Sequence, residues 1–187
     1  MKRIGIAAIA LALSAAATPA LADDRSANNS VFLEGGGPGL AYSLNYERIF
    51  EDDFGLRVGF SYLSVSGTAG TGTSSVSGSA TVWTVPVMAN YVGLSSGSHA
   101  LELGAGATLV NFSGAASGFG YSANGSGPAV LGTAILGYRR QPPTGGFQFR
   151  IGVEALVGKG LALAEGSRDP NSIGVLPWLY MSIGFSL

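Results

Sequence analysis

The chain has 187 residues, a formal net charge of −1, 30 glycines and no cysteine. Its 47% hydrophobic and 11% charged residues exclude a disordered chain, the lack of cysteine excludes disulfide and thiolate-metal scaffolds, and the absence of a basic excess argues against a nucleic-acid partner. Glycine costs about 1 kcal/mol per helical position relative to alanine, so the high glycine content argues against a helical protein.

Residues 1–22 are expected to be a cleaved secretory signal peptide. Lys2 and Arg3 precede the uncharged, mainly apolar stretch 4–17, and Ala20-Leu21-Ala22 matches an A-x-A cleavage site. This apolar stretch is shorter than the ~20 residues that a membrane-spanning helix needs. Cleavage would leave one domain, 23–187.

Six segments place an apolar residue at every second position, which is the pattern of a β-strand with one apolar face. They are 40–48, 54–63, 82–91, 101–110, 147–157 and 175–187. Two further strands are expected at 29–35 and 129–139, and the second is apolar on both faces, so its facing is left open. The pattern therefore predicts eight strands.

The connections alternate between short and long. Short turns are expected near 49–53, 92–99 and 140–146, and long loops near 64–81, 111–127 and 158–173. The segment 35–39 is the exception, because it is short although the alternation predicts a long loop at this position. This layout is typical of outer-membrane barrels, with short periplasmic turns and long external loops. We therefore predict an all-β, eight-stranded antiparallel up-and-down transmembrane β-barrel with both termini in the periplasm.

The two faces of the predicted strands differ in size and charge. One face carries large apolar side chains, and the other carries glycine, serine and the charged residues Glu47, Arg57, Glu102, Arg150 and Glu154. An eight-stranded barrel has room inside for only modest side chains. The small face is therefore expected to point inward, with those five charges in an interior polar network, and the apolar face to meet lipid.

Aromatic residues of the apolar face fall into two bands, as in the interfacial girdles of membrane barrels. The band near the short turns contains Tyr46, Phe54, Tyr91, Tyr138, Phe147 and Phe185. The band near the long loops contains Tyr62 and Trp83, with Phe112 as a further candidate. The one charge on the apolar faces, Arg48, lies beside a turn, where a cation costs little.

The last strand, WLYMSIGFSL at 178–187, alternates up to the carboxyl terminus. It resembles the C-terminal strand by which bacterial outer-membrane barrels are recognised for assembly, although those strands usually end in Phe and this one ends in Leu187. The whole chain is similar to small eight-stranded outer-membrane barrels, and 42–48 and 137–156 resemble a group of uncharacterised barrel-like proteins of that membrane. The resemblance implies contact with outer-membrane lipid and with the barrel-assembly machinery, and it implies no activity.

The residues predict no catalytic site, metal site or cofactor, and the chain is not expected to be an enzyme. Lipid-modifying enzymes on small barrels use a histidine near the outer leaflet, whereas His99, the one histidine, follows a short turn at the expected periplasmic end. The predicted function is a structural or surface-interaction role. The alternatives are a narrow channel for ions or small solutes and a soluble exported ligand-binding barrel with its apolar face inward. The oligomeric state is left open.

Overall fold

The computed structural model describes residues 25–71, 74–118, 121–159 and 173–187. The expected signal peptide at 1–22 and most of the loop expected at 158–173 lie outside these ranges.

The described chain is a closed antiparallel barrel in which each strand pairs with the next and β1 pairs with β8. This confirms the predicted all-β, up-and-down, eight-stranded fold. The strands are β1 (Asn29–Gly36), β2 (Tyr42–Phe50), β3 (Phe54–Thr71), β4 (Ser74–Ser96), β5 (His99–Gly118), β6 (Tyr121–Arg140), β7 (Gly146–Lys159) and β8 (Ile173–Ser186).

One end of the barrel, here called the turn end, contains the start of β1, the end of β8 and the short turns between β2 and β3, β4 and β5, and β6 and β7. The turn expected near 92–99 is shorter than predicted, because β4 continues through a bulge between Tyr91 and Leu94 and pairs with β5 up to Ser96. The Val92 N–H, displaced by the bulge, donates to the carbonyl of Asp53 at 2.8 Å. Arg25 also lies here, and burial lowers the pKa of its guanidinium while Asp52 and Asp53 oppose that shift.

At the opposite end, called the far end, the segments expected as loops near 64–81 and 111–127 are largely strands. β3 and β4 stay paired up to Thr71 and Ser74, and β5 and β6 up to Gly118 and Tyr121. The expectation was wrong because an antiparallel ladder needs only backbone N–H and C=O groups, so Ser-, Thr- and Gly-rich sequence can form it without apolar side chains.

The barrel wall is uneven in height. β1 and β2 have 8 and 9 residues, whereas β3 and β4 have 18 and 23. Within the described ladders, the part of β8 at 173–179 has no partner on β1, and the part of β3 at 61–71 has none on β2. The low β1–β2 hairpin therefore leaves a notch in the wall between these two segments.

Candidate functional site

The outer wall of the barrel is apolar all round. Large apolar side chains at alternating positions of all eight strands point outward and are between about one third and three quarters exposed. Examples from each strand in turn are Leu33, Leu44, Val58, Val87, Leu109, Leu136, Val153 and Ile183. From Phe54 to Tyr62 on β3 this surface is about 20 Å tall if the strands tilt as they do in barrels of this size. That is close to the height of the lipid-facing band of an outer-membrane barrel, about 25 Å.

Aromatic side chains mark both borders of this wall. At the turn end, the rings of Phe54 and Tyr91 lie 5.2 Å apart and those of Phe147 and Phe185 lie 6.2 Å apart. At the far-end border, Tyr62 pairs with Trp83 across β3 and β4. Phe112 does not belong to this outer band, because it pairs with Val82 on the opposite face of the sheet.

The lumen at the height of the apolar wall holds a cluster of buried ion pairs. The carboxylate of Glu47 accepts hydrogen bonds from Arg139 and Arg150, which come from β6 and β7. Glu102, on β5, lies 3.2 Å from Arg150 and 3.4 Å from Arg139, measured between nitrogen and oxygen. The amide of Asn90 donates to Glu47 at 2.6 Å. Side chains from five strands thus meet across the centre of the barrel.

A second ion pair lies beside this cluster. Arg57 donates to Glu34 and, through Nε, to the amide oxygen of Asn45 at 3.1 Å. The ring of Phe32 lies between the two groups, 5.1 Å from the guanidinium carbon of Arg57 and 4.2 Å from that of Arg150. The aromatic face supplies a further electrostatic contact to two cations that have left water.

The structure buries all five charges that were predicted for the interior. Glu47, Arg150 and Glu102 share one cluster, Arg57 pairs elsewhere, and no described ion pair includes Glu154, which is 3% exposed. Two further charged side chains of the interior, Glu34 and Arg139, are not among the predicted ones. Glu34 lies on the same face of β1 as Phe32, and Arg139 lies on β6, the strand whose facing the sequence leaves open. In the structure, Leu131, Thr133 and Ile135 of β6 are buried inside, whereas Val130 and Leu136 are exposed outside.

Glycines on the inward face make room for these side chains. A Cβ at Gly59 would meet the side chain of Asn45, and one at Gly184 would meet the backbone of Val31 and Phe32. The glycine-rich face therefore permits a lumen filled by arginine and glutamate.

The connection between β1 and β2 folds into the lumen and forms a plug, Gly37–Gly39, a single 3₁₀ turn whose residues are buried. Gly36 and Gly37 have φ of 70° and 68°, a conformation that favours glycine and that turns the chain inward. The hydroxyls of Thr108 and Thr84, on β5 and β4, donate to the carbonyls of Pro38 and Gly39 at 3.0 and 3.3 Å. The plug therefore extends from the β1–β2 hairpin across the lumen to the opposite side of the barrel, formed by β4 and β5.

Beyond the plug, β3–β6 continue as a four-stranded extension, defined as residues 63–71, 74–82, 110–118 and 121–129. Here the apolar side chains change faces. Leu63 and Val65 lie on the inward side, and Ser64 and Ser66 lie on the outward side. The hydroxyls of Ser64 and Thr81 hydrogen-bond each other on the outside at 3.1 Å. The outside of the extension is thus polar and the inside apolar, the reverse of the barrel below it.

The structure offers no other centre of chemistry among the residues it describes. His99 lies at the start of β5, exposed, with Nδ1 2.6 Å from the hydroxyl of Tyr138. No group of three or more potential metal-ligating His, Cys, Asp or Glu side chains occurs in the described ranges. No helix of these ranges is long and apolar enough to cross a membrane.

Two solved structures of Ail, the attachment invasion locus protein of Yersinia pestis, are similar to this chain. The structure in complex with the heparin analogue sucrose octasulfate has a TM-score of 0.47 at 16% identity and covers 84% of this chain and 96% of Ail. The other has a TM-score of 0.45 at 16% identity and covers 85% and 97%. The likeness is one of fold. No family model and no curated protein matches the chain.

Proposed function

We propose that this chain is an outer-membrane β-barrel that serves as a structural or surface-interaction protein and does not catalyse a reaction. One observation carries the membrane location: apolar side chains are exposed around the whole wall at the height at which charged side chains are buried inside. Val58 on β3 is 46% exposed, and its neighbour Arg57 is 0% exposed. A soluble ligand-binding barrel would have the opposite facing.

The proposed role of the interior charges is to hold the barrel closed. Seven charged side chains, Glu34, Glu47, Arg57, Glu102, Arg139, Arg150 and Glu154, are each at most 3% exposed. Side chains that line an open aqueous pore would be hydrated, and the plug lies across the same lumen. All of them except Glu154 form ion pairs within the described residues, and a charge removed from water needs such a partner because an unpaired buried charge is costly. The ion pairs thus fix the strands around a filled interior.

The proposed interaction surface is the extension, because it would stand outside the outer leaflet. Signal-directed export, periplasmic termini and recognition of the C-terminal strand by the barrel-assembly machinery belong to the same proposal. The exposure of Phe185 and Leu187, 60% and 71%, supports the last of these, since an assembly factor could reach both side chains.

The test is to express the full chain in a Gram-negative host and to run the outer-membrane fraction on a detergent gel with and without boiling. We expect an outer-membrane protein whose unboiled band migrates differently, because a closed hydrogen-bonded barrel resists detergent until heated. Soluble periplasmic protein with no shift would contradict the proposal.

The role of the charges is tested with Arg57→Ala. We expect a lower unfolding midpoint in lipid vesicles and no single-channel conductance from the unmodified protein in planar bilayers. Unchanged stability together with conductance that shifts in the variant would favour the narrow channel instead.

A further inference from the structure

The apolar inside of the extension forms a cup above the plug. We define the cup as Leu63 and Val65 of β3, Val82 of β4, Val110 and Phe112 of β5, and Trp178 of β8 on the opposite wall. Leu63, Val82 and Phe112 are consecutive cross-strand partners, so they form one continuous patch. Thr84 and Thr108, which bind the plug, lie one inward position below Val82 and Val110, so the plug is the floor of the cup.

The described side chains leave this patch uncovered. Leu63, Val65, Phe112 and Trp178 are 38–53% exposed, whereas Leu156 and Leu131, on the inward face near the plug, are 0% and 7% exposed. The extension itself contains no charged residue, and Glu154, the cross-strand partner of Trp178, is 3% exposed. A continuous apolar surface that faces the inside of the extension, rather than lipid, is typical of a binding site for an apolar group.

The notch connects the cup to the apolar outer wall. A groove of about 580 Å³ runs along the outside of the wall above the low β1–β2 hairpin, lined by Gly35, Gly36, Pro177, Trp178, Leu179 and Met181 among others. Beside Gly35 the space is open, since a Cβ there would meet no atom within 4 Å. Trp178 belongs to both the groove and the cup, and its indole N–H donates to the carbonyl of Leu40 at 3.2 Å, which places the ring at the edge of the plug.

We propose that the cup binds the alkyl chain of a membrane amphiphile, which enters sideways from the lipid through the notch. The continuity of the groove with the apolar wall favours a molecule dissolved in the bilayer over one dissolved in water. Ile151 and Met181, which line the groove, are 47% and 54% exposed on the same wall. The apolar lining fits a hydrocarbon chain, and the extension carries no charged residue that could pair with a charged headgroup. This inference rests on the proposed membrane location.

The two tryptophans of the chain provide the test. In the Trp83→Phe variant, fluorescence reports Trp178 in the cup, and in Trp178→Phe it reports Trp83 on the outer wall. The full-length variants are folded into phosphatidylcholine vesicles and titrated with dibromostearic acid, whose bromines quench tryptophan on contact. We expect saturable quenching of Trp178 and only weak, proportional quenching of Trp83.

Two further substitutions locate the site, each made in the Trp83→Phe background. Gly35→Leu should fill the groove, and Phe112→Ser should make the cup more polar, each raising the half-quenching concentration by about tenfold. Leu109→Ser is the matched control, because Leu109 lies on the same strand but faces outward and is similarly exposed, at 51%. It should leave the half-quenching concentration unchanged.

Quenching of Trp178 that rises in proportion to the probe, to the same extent as that of Trp83, would overturn the inference, as would equal effects of Phe112→Ser and Leu109→Ser. The unboiled gel shift keeps the two proposals separate. A protein that shifts on the gel but shows no saturable quenching contradicts only the alkyl-chain site, whereas one that does not fold into membranes contradicts the proposed function itself.

Discussion

The same four strands, β3–β6, build two regions with opposite faces. Up to Tyr62 and Trp83 the outside is apolar and the inside is polar, and beyond them Ser64 and Thr81 lie outside while Leu63 and Val82 lie inside. The β3–β4 and β4–β5 ladders keep one register through this point, so a change of sequence pattern, and not a β-bulge, produces the inversion. Under the proposed membrane location, the position of this inversion, rather than mean hydropathy, indicates where the lipid-facing wall ends.

The largest loss of stability is expected from a substitution among the buried ion pairs of the barrel region. Glu47→Ala removes one of the two carboxylates that Arg139 and Arg150 share and leaves Glu102 as the other, and removing one partner of a buried ion pair costs about 3–5 kcal/mol. We expect the free energy of unfolding in vesicles, measured by urea titration of tryptophan fluorescence, to fall by this order. Glu154→Gln is the control, since no described ion pair includes Glu154. Equal losses of unfolding free energy in both variants would show that the ion pairs of Glu47 do not stabilise the barrel more than an unpaired buried carboxylate does.

The next effect compares two exposed, outward-facing positions of β3, Val58 in the barrel and Ser66 in the extension. If the outer wall faces lipid as proposed, Val58→Arg places a cation near the middle of that wall, which costs about 2–4 kcal/mol. Ser66→Arg places the cation on the outside of the extension, which the same proposal puts in water, so the cost should be about 0–1 kcal/mol. The measurement is the urea midpoint of each variant in vesicles. A larger loss from Ser66→Arg would mean that the extension, not the barrel, is the part in lipid.

A smaller loss of stability is expected when a glycine on the crowded inward face is replaced by alanine. A Cβ at Gly106, on the inward face of β5, would collide with the backbone of Val87 and Met88, so Gly106→Ala should cost about 1–3 kcal/mol. Gly67, in the extension, has no atom within 4 Å of a Cβ, and Gly67→Ala should change stability by less than about 0.5 kcal/mol. Thermal unfolding followed by the unboiled gel shift checks both. Tolerance at Gly106 would mean that the lumen is wider than the structure shows.

The alternation at 54–62 was enough to predict the facing of β3 in the barrel, because large and small residues separate cleanly there. The strands beyond it were mistaken for loops, since Ser, Thr and Gly occupy both faces of 66–71 and 113–118 and leave no size contrast. Arg139 is not predicted for a related reason. Apolar residues lie on both faces of 129–136, so the sequence does not show which alternate positions of this strand point inward. The plug could not be predicted either, because its inward turn depends on contacts with Thr84 and Thr108, which are remote in sequence.

The smallest expected effect is on the outside of the extension. Ser64→Ala removes the hydroxyl that pairs with Thr81, and because that pair is exposed to water the change should be within about 0.5 kcal/mol. Urea unfolding of Ser64→Ala and of Thr81→Ala checks this. A loss above about 1 kcal/mol in either would indicate that this face is packed against something rather than hydrated.

The inversion along β3 can be measured directly because the chain has no cysteine, so single cysteines can be labelled selectively. Cysteines at Leu56, Val58, Phe60, Ser64 and Ser66, all on the outward face, would carry a polarity-sensitive fluorophore in the protein folded into vesicles. If the outer wall faces lipid as proposed, we expect apolar emission from the first three positions and aqueous emission from the last two, with the change at Tyr62. Aqueous emission from Val58, or apolar emission that continues to Ser66, would contradict it.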